Sequence, residues 1–438
     1  MGSYYIWTIG CQMNVADSEQ LGHQLESMGY HAVMLPEEAD VVVLNSCVVR
    51  QHAEDKVSGK LFNLRSLKKS RPDTIVGLMG CMVGPKTDDL RRRFPHVDVF
   101  MRPQVFDPVI ELARARAEAL RPGSGQAPTE VCYEPQPIAT AALSHTAFIP
   151  IIHGCDHFCT FCIVPYRRGR ERSRLISDIR DEVETLVARG VREVTLLGQK
   201  VDSYGQDLAG RPDLADLFHA LHDVDGLDRI RFLTSFPMGI TDKIIASVRD
   251  LDKVCEHFNI PIQSGDDDVL LAMRRGYTVE GYLDVVGKIR AAIPGVGLST
   301  DIIVGFPGET DRQFDNTYKL LHDVEFDVVH VAAYSERPGT IASRTQPDDV
   351  PLAVKKERLR AVEELQKGIS EKINAELVGQ KLVILVEDRK KDKWEGRTRT
   401  GKLVYFRAGA TDLKGSLATI YIESASPWSL QGSLIAID

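Results

Sequence analysis

Cys155, Cys159 and Cys162 stand in the run His153-Gly-Cys-Asp-His-Phe-Cys-Thr-Phe-Cys162, directly after the apolar, strand-like stretch Phe148-Ile-Pro-Ile-Ile152. Three thiols within eight residues confine the surrounding backbone to a loop wrapped around one compact, soft metal centre. A disulfide would leave one thiol over, and a structural zinc site normally takes a fourth Cys or His. His153 or His157 could complete a Cys3His zinc site, which stays open as an alternative. An iron-sulfur cubane fits the trio better: it normally takes four protein thiolates, so three leave one iron open to a small molecule.

From that loop onward strand-like and helix-like segments alternate. The spacing predicts strands at 148–154, 193–199, 229–235, 257–263, 297–306 and 327–334, with amphipathic helices between them. Six βα repeats without a seventh or eighth predict an open, partial (β/α)6 barrel, with the active site at the carboxyl ends of the strands. The cysteines follow the first strand, at that end. A long charged helix is expected over 351–378, closing the barrel. Beyond it, Leu382-Val-Ile-Leu-Val386, Gly401-Lys-Leu-Val-Tyr-Phe406 and Leu417-Ala-Thr-Ile-Tyr-Ile422 predict a small β-barrel of about five strands.

The first hundred residues repeat a different unit: an apolar run, a cysteine, then a helix-like segment. The runs are Tyr4-Tyr-Ile-Trp-Thr-Ile9 before Cys11, Val41-Val-Val-Leu44 before Cys47, and Thr74-Ile-Val-Gly-Leu-Met79 before Cys81. The cysteines recur 36 and 34 residues apart, about one βα unit each. Ligands gather outside the carboxyl ends of strands in an open parallel sheet, so these three thiols can converge as ligands of a second cluster. Three separately buried thiols are the structural alternative.

The expected division is therefore an N-terminal α/β domain over 1–120, a Pro/Gly-rich linker over 121–143 containing the bystander Cys132, a barrel domain over 144–378, and a small β domain over 379–438. The start of the chain has no basic, apolar leader pattern, and no apolar run reaches the roughly 20 residues of a membrane span, so a cytoplasmic location without membrane contact is expected. Eight cysteines among 438 residues are too sparse for a disulfide scaffold. A net charge of −8 excludes wholesale nucleic-acid binding, leaving local basic patches. The stretch 380–438 is one, with ten Lys/Arg against seven Asp/Glu.

The trio at Cys155, with Phe161 before its last cysteine, resembles the radical S-adenosylmethionine (SAM) superfamily. Together with Cys162-Ile-Val-Pro-Tyr166, Ile260-Pro-Ile-Gln-Ser-Gly265, Met273-Arg-Arg-Gly-Tyr-Thr278, Asp301-Ile-Ile-Val-Gly-Phe-Pro-Gly-Glu-Thr310 and Tyr334-Ser-Glu-Arg-Pro-Gly-Thr340, the chain resembles the radical-SAM methylthiotransferases from end to end. The small C-terminal domain is then of the TRAM, RNA-binding type. The opening Thr8-Ile-Gly-Cys-Gln-Met-Asn-Val-Ala-Asp-Ser-Glu19 looks like the branch that methylthiolates C2 of N6-dimethylallyl (isopentenyl) adenosine next to the tRNA anticodon. Gln12-Met13 disfavours the branches acting on an aspartate of ribosomal protein S12 and on threonylcarbamoyladenosine in tRNA. Arg167, Lys200, Asp202 and Asn259 depart from residues common in the family.

The resemblance implies two 4Fe-4S clusters, held by Cys11, Cys47 and Cys81 and by Cys155, Cys159 and Cys162, and two SAM molecules per turnover. One SAM methylates sulfide at the N-terminal cluster; the other yields the radical that activates the adenine, so both clusters are expected to open on a shared chamber. It further implies SAM contacts at Phe161, Gly198, Gln199, Gln263, Ser264, Gly305 and Tyr334. Five arginines among the eight residues Arg167 to Arg174 read as phosphate-binding beside an active site, with Arg167, Arg168 and Arg170 expected to seat the anticodon stem-loop. A flavodoxin- or ferredoxin-like electron donor and a monomeric state complete the expectations. Two non-catalytic readings compete: a metal-stabilised RNA-binding protein, and a two-cluster redox carrier.

Overall fold

The computed structural model describes residues 2–48, 51–119, 145–409 and 412–437. The expected linker 121–143 and Cys132 lie outside the described residues. The chain divides into two compact units, Met1–Ala142 with Ile163–Gly169, and Leu143–Cys162 with Arg170–Asp438.

The first unit is a five-stranded parallel sheet of β1 (Ser3–Thr8), β2 (His31–Ala32), β3 (Val41–Ser46), β4 (Ile75–Gly80) and β5 (Val99–Met101), in the order β2-β1-β3-β4-β5. Its helices are α1 (Gln12–Ser27), α2 (Gln51–Ser70), α3 (Asp88–Arg93), α4 (Asp107–Ala119) and the short α5 (Val164–Arg168). β3 and β4 are buried along their whole length, which is why they read as continuous apolar runs: a parallel strand covered on both faces needs no polar alternation. The period of two reappears in what each side chain packs against. Val42, Leu44, Val76 and Leu78 join Val57, Leu61 and Leu64 of α2, whereas Val41, Val43, Ile75 and Met79 join Leu21 and Leu25 of α1 and Val109 of α4.

The second unit begins with β6 (Thr146–Pro150), followed by a two-residue pair, β7 (Ile152–His153) and β8 (Arg172–Ser173). The expected strand 148–154 is thus broken at Ile151, where the chain leaves the parallel sheet to pair with β8 and form the cysteine loop. Then come α6 (Ile176–Ala188), β9 (Glu193–Leu197), α7 (Leu214–His222), β10 (Arg229–Phe232), α8 (Asp242–Asp250), β11 (His257–Asn259), α9 (Asp267–Ala272), α10 (Val279–Ala292), β12 (Gly297–Val304), α11 (Asp311–Val324), β13 (Val328–Ala333), α12 (Ile341–Thr345) and α13 (Leu352–Ala375). β10-β9-β6 and β11-β12-β13 form two parallel three-stranded sheets. Backbone hydrogen bonds from Ser235 N to Asn259 O (2.9 Å) and from Cys255 N to Ile230 O (2.9 Å) join them, giving the open six-stranded barrel expected. α13 lies along β13, and its buried Gln366 donates to Phe326 O at 2.9 Å.

The tail closes a small barrel of β14 (Lys381–Lys390), β15 (Lys393–Thr398), β16 (Leu403–Arg407), β17 (Leu417–Ala425) and β18 (Leu430–Ile437) around Ile384, Trp394, Phe406 and Ile420. It is fastened to the starts of the larger barrel's strands. Arg229 and Arg231 donate to the carbonyls of Arg397 (2.7 Å) and Arg399 (2.8 Å), and Arg399 grips Glu256 with two bonds of 2.7 and 2.8 Å. The small barrel therefore sits at the end of the large one opposite its cysteine loop. No helix among the described residues is long and apolar enough to cross a membrane.

Candidate active site

The adjacency of β1, β3 and β4 brings Cys11, Cys47 and Cys81 to neighbouring strand ends. Cys11 is the residue before α1, and Cys47 and Cys81 each follow their strand directly and are buried. The three loops press close. A Cβ on Gly10 would come 2.9 Å from Cys47 Cβ, and one on Gly80, at φ +101, would come 2.4 Å from Ser46 O, so each approach requires glycine. Asn14 ties the loops together by donating to Ser46 O at 2.8 Å and Ile9 O at 3.4 Å.

Arg168, on α5, enters the same region with a side chain only 3% exposed. Its Nη2 meets Asp17 Oδ2 at 2.9 Å and Asn14 Oδ1 at 3.1 Å. Burial pushes the Cys81 thiol up to about 11, and the Arg168 charge opposes that rise. The Arg168 guanidinium, expected to seat the anticodon stem-loop, is enclosed and held by Asp17. Arg170 is exposed and pairs with Asp156 at 3.0 Å, while Arg167 is half-buried and burial lowers its affinity for the proton.

In the second unit Cys155 and Cys159 are buried and Cys162 is partly so. The loop carrying them is pinned at Thr160, whose N donates to Met273 O (3.0 Å), whose hydroxyl donates to Ala272 O (2.9 Å), and whose carbonyl accepts from Ala342 N (2.8 Å). Burial raises the Cys155 thiol to about 11, so its thiolate requires a cation or metal beside it. Arg275 supplies that function at Cys159: Nη1 donates to Cys159 Sγ at 3.3 Å, Nη2 to Pro261 O at 2.9 Å, and Nε to Tyr277 Oη at 2.8 Å. Arg275 and Lys200 both lie over the Phe236 ring, at 5.2 and 5.0 Å, and the His157 ring packs against the same Phe236 ring with centroids 4.2 Å apart. Asp202, which accepts from Phe236 N at 2.5 Å, is raised by burial to about 6.

All seven expected SAM-contact positions lie on the cysteine loop or just beyond strand carboxyl ends. A Cβ on Gly198 would fall 2.4 Å from Ile152 Cγ2, so the chain beyond β9 passes close to the cysteine loop's start. Gln263 holds φ +78, uncommon for a side-chain-bearing residue, with both backbone groups bonded to the β12 region. Gly305 follows β12 at φ +69, and Tyr334 follows β13 with a buried hydroxyl lacking a hydrogen-bond partner. Phe161 packs with Phe306 and Tyr334 in one apolar cluster. Ser264 departs from its expected role: it is fully buried and its hydroxyl faces Thr317 Oγ1 at 3.3 Å. Arg275 and Asp17 carried no role in the sequence reading. Arg275 lies within the Met273-to-Thr278 motif, but nothing in its spacing points 116 residues back to Cys159.

Among the described residues no three Cys, His, Asp or Glu side chains converge as ligands of a single metal ion. None of the six trio cysteines is in a disulfide, and each trio has a buried arginine directed at its sulfurs. A donor set of thiols with cationic neighbours suits a cluster of net negative charge.

An open barrel of six parallel strands with a Cys-x3-Cys-x2-Cys loop after the first is a radical SAM architecture. The Radical SAM superfamily model matches residues 149–321, and that of Uncharacterized protein family UPF0004 matches residues 3–102. Among solved structures the fold is similar to the radical SAM methyltransferase TsrM from Kitasatospora setae (TM-score 0.57, 15% identity, 78% of this chain and 77% of that one). The cobalamin-dependent SAM radical enzyme OxsB is also similar (TM-score 0.53, 11% identity, 84% and 56%). Curated relatives reach further. A tRNA-2-methylthio-N(6)-dimethylallyladenosine synthase of Dehalococcoides mccartyi is 48% identical over 437 residues, covering 100% of this chain and 99% of that protein. One from a Roseiflexus species is 47% identical, covering 99% and 90%. The chain belongs to the tRNA-2-methylthio-N(6)-dimethylallyladenosine synthase family.

Proposed function

We propose that this enzyme methylthiolates C2 of N6-dimethylallyladenosine next to the anticodon of tRNA, using SAM and iron-sulfur clusters. The observation that carries this reading is the pair of cysteine trios at the carboxyl ends of parallel strands, in a chain aligned end to end with relatives that bear that name. Cys155, Cys159 and Cys162 would hold one cluster, and Cys11, Cys47 and Cys81 the second. When bound, the clusters and SAM supply one-electron chemistry and a transferable methyl group, which side chains cannot.

The chain's own residues hold and orient. Arg275 fixes Cys159 through its N–H and balances the thiolate charge. Gln263, Gly305 and Tyr334 form the strand-end rim that would receive SAM, and Phe161 packs beneath it. An unpaired anticodon-loop base can be splayed into such a pocket, whereas a duplex base cannot. The small barrel, with its Lys/Arg excess, would contribute to RNA affinity, as would the exposed Arg170. The enzyme would work in the cytoplasm as a monomer, reduced by a flavodoxin- or ferredoxin-like donor.

The test is anaerobic reconstitution with iron, sulfide and SAM, dithionite as reductant, and three acceptors side by side: a stem-loop with N6-dimethylallyladenosine, one with threonylcarbamoyladenosine, and ribosomal protein S12. Mass spectrometry should find the methylthio adduct on the first alone. A product on either of the others would overturn the substrate assignment.

A further inference from the structure

The Arg168 side chain is only 3% exposed, and its pairing with Asp17 does not use all of it. Nη2 is spent on Asn14 and Asp17, but Nη1 is buried and has no oxygen acceptor, and the Arg168 side chain lies within hydrogen-bonding reach of the Cys81 sulfur. A buried charged donor without a partner is costly, and native structures retain one where a ligand or a function satisfies it. The groups within reach of its field are the Cys81 and Cys11 sulfurs, after Asp17. Arg167 adds to the excess, with its Nε also buried and unpaired and Cys81 the foremost group favouring its charge. Thus the strand-end cysteines look onto N–H groups for which the protein provides no oxygen.

We propose that Arg168 is a positioning residue of the strand-end cysteine centre: its Nη1 donates a hydrogen bond to sulfur of a cluster held by Cys11, Cys47 and Cys81, and its charge raises that cluster's reduction potential. This rests on the two-cluster reading above. Hydrogen bonds to sulfur and nearby positive charge both favour the reduced cluster, which carries one more electron. Asp17 and Asn14 hold the guanidinium plane, so the free N–H keeps a fixed direction. A purely structural role, pinning α5 to α1, would give the same Asp17 contact but no effect on the electron.

The decisive background is the full chain with Cys155, Cys159 and Cys162 changed to Ala, reconstituted anaerobically, so that only the strand-end centre remains. Its midpoint is read by potentiometric titration followed by EPR. Arg168→Met would strand the Asp17 carboxylate in the interior, so it is paired with Asp17→Asn. Compared with Asp17→Asn alone, which controls for the lost carboxylate, the reduced-to-oxidised ratio in this double variant should fall about tenfold at a fixed potential, a downward shift of about 59 mV for a one-electron couple. Arg168→Lys keeps the charge and loses the fork, so its midpoint should fall below the unsubstituted reference by less than that. Midpoints unchanged in both variants, with iron retained, would overturn the proposal; if the double variant does not fold, an unchanged midpoint in Arg168→Lys does so alone. A reference protein that holds no iron or sulfide would instead overturn the two-cluster reading beneath it.

Discussion

Arg275→Met should lower the reduction potential of the centre at Cys155, Cys159 and Cys162 and slow reductive cleavage of SAM. The arginine stands 3.3 Å from Cys159 Sγ, and its charge is favoured by Tyr277 and that sulfur against the cost of burial. A full unit charge at that distance would be worth about 5 kcal/mol at an effective dielectric near 20. An electron entering a cluster is spread beyond the one sulfur, so roughly 2 kcal/mol, about 90 mV for one electron, is the expected loss. The fold should survive, because Tyr277 Oη still reaches Pro261 O (3.1 Å) and Ile262 O (2.9 Å), and Met fills much of the vacated volume. The assay is an EPR-monitored titration in protein lacking Cys11, Cys47 and Cys81, with 5′-deoxyadenosine release measured alongside. A midpoint within experimental error of the unsubstituted arginine, at equal iron content, would refute the reasoning.

Three other outcomes are expected. Gln263→Gly, which relieves a positive φ, should stabilise the apo chain by up to about 1 kcal/mol in urea unfolding, whereas Gln263→Val should destabilise it by about 1–3 kcal/mol. Asp202 binds its proton more tightly folded than unfolded, so its contribution is favourable at low pH and lost as pH rises from about 4 through about 6. Asp202→Asn should therefore raise stability at pH 7 by up to about 3 kcal/mol and have little effect near pH 3.5, read from denaturant midpoints at the two pH values. Arg399→Ala removes the Glu256 pair and bonds to Asp252 O (2.6 Å) and Val254 O (2.7 Å), leaving Glu256 unmatched. A loss of about 3 kcal/mol and faster proteolytic release of the small barrel should follow.

The strand-end positions of Cys11, Cys47 and Cys81 were legible because each cysteine comes within three residues of the end of an apolar run, and β3 and β4, buried along their whole length, leave continuous ones. The six strands of the open barrel were legible from short apolar runs alternating with amphipathic, helix-like segments. The break at Ile151 was not: Phe148 to Ile152 is uniformly apolar, and only the antiparallel partner Arg172–Ser173 interrupts it. The enclosure of Arg168 was not legible, because a dense arginine run looks solvated or phosphate-bound and the carboxylate it pairs with is 151 residues earlier. Ser264 was assigned by motif, but its hydroxyl is turned to Thr317 on α11, a contact no local pattern reveals. Arg275 and Cys159 meet only through the fold.

The account rests on two independent cluster sites, and counting iron and acid-labile sulfide per chain after anaerobic reconstitution tests that most directly. Wild-type protein should carry two cubanes' worth of each. Either triple substitution to Ala, at Cys11, Cys47 and Cys81 or at Cys155, Cys159 and Cys162, should leave one, and the two combined should leave none. A full complement surviving loss of either trio, or metal bound without sulfide, would contradict it.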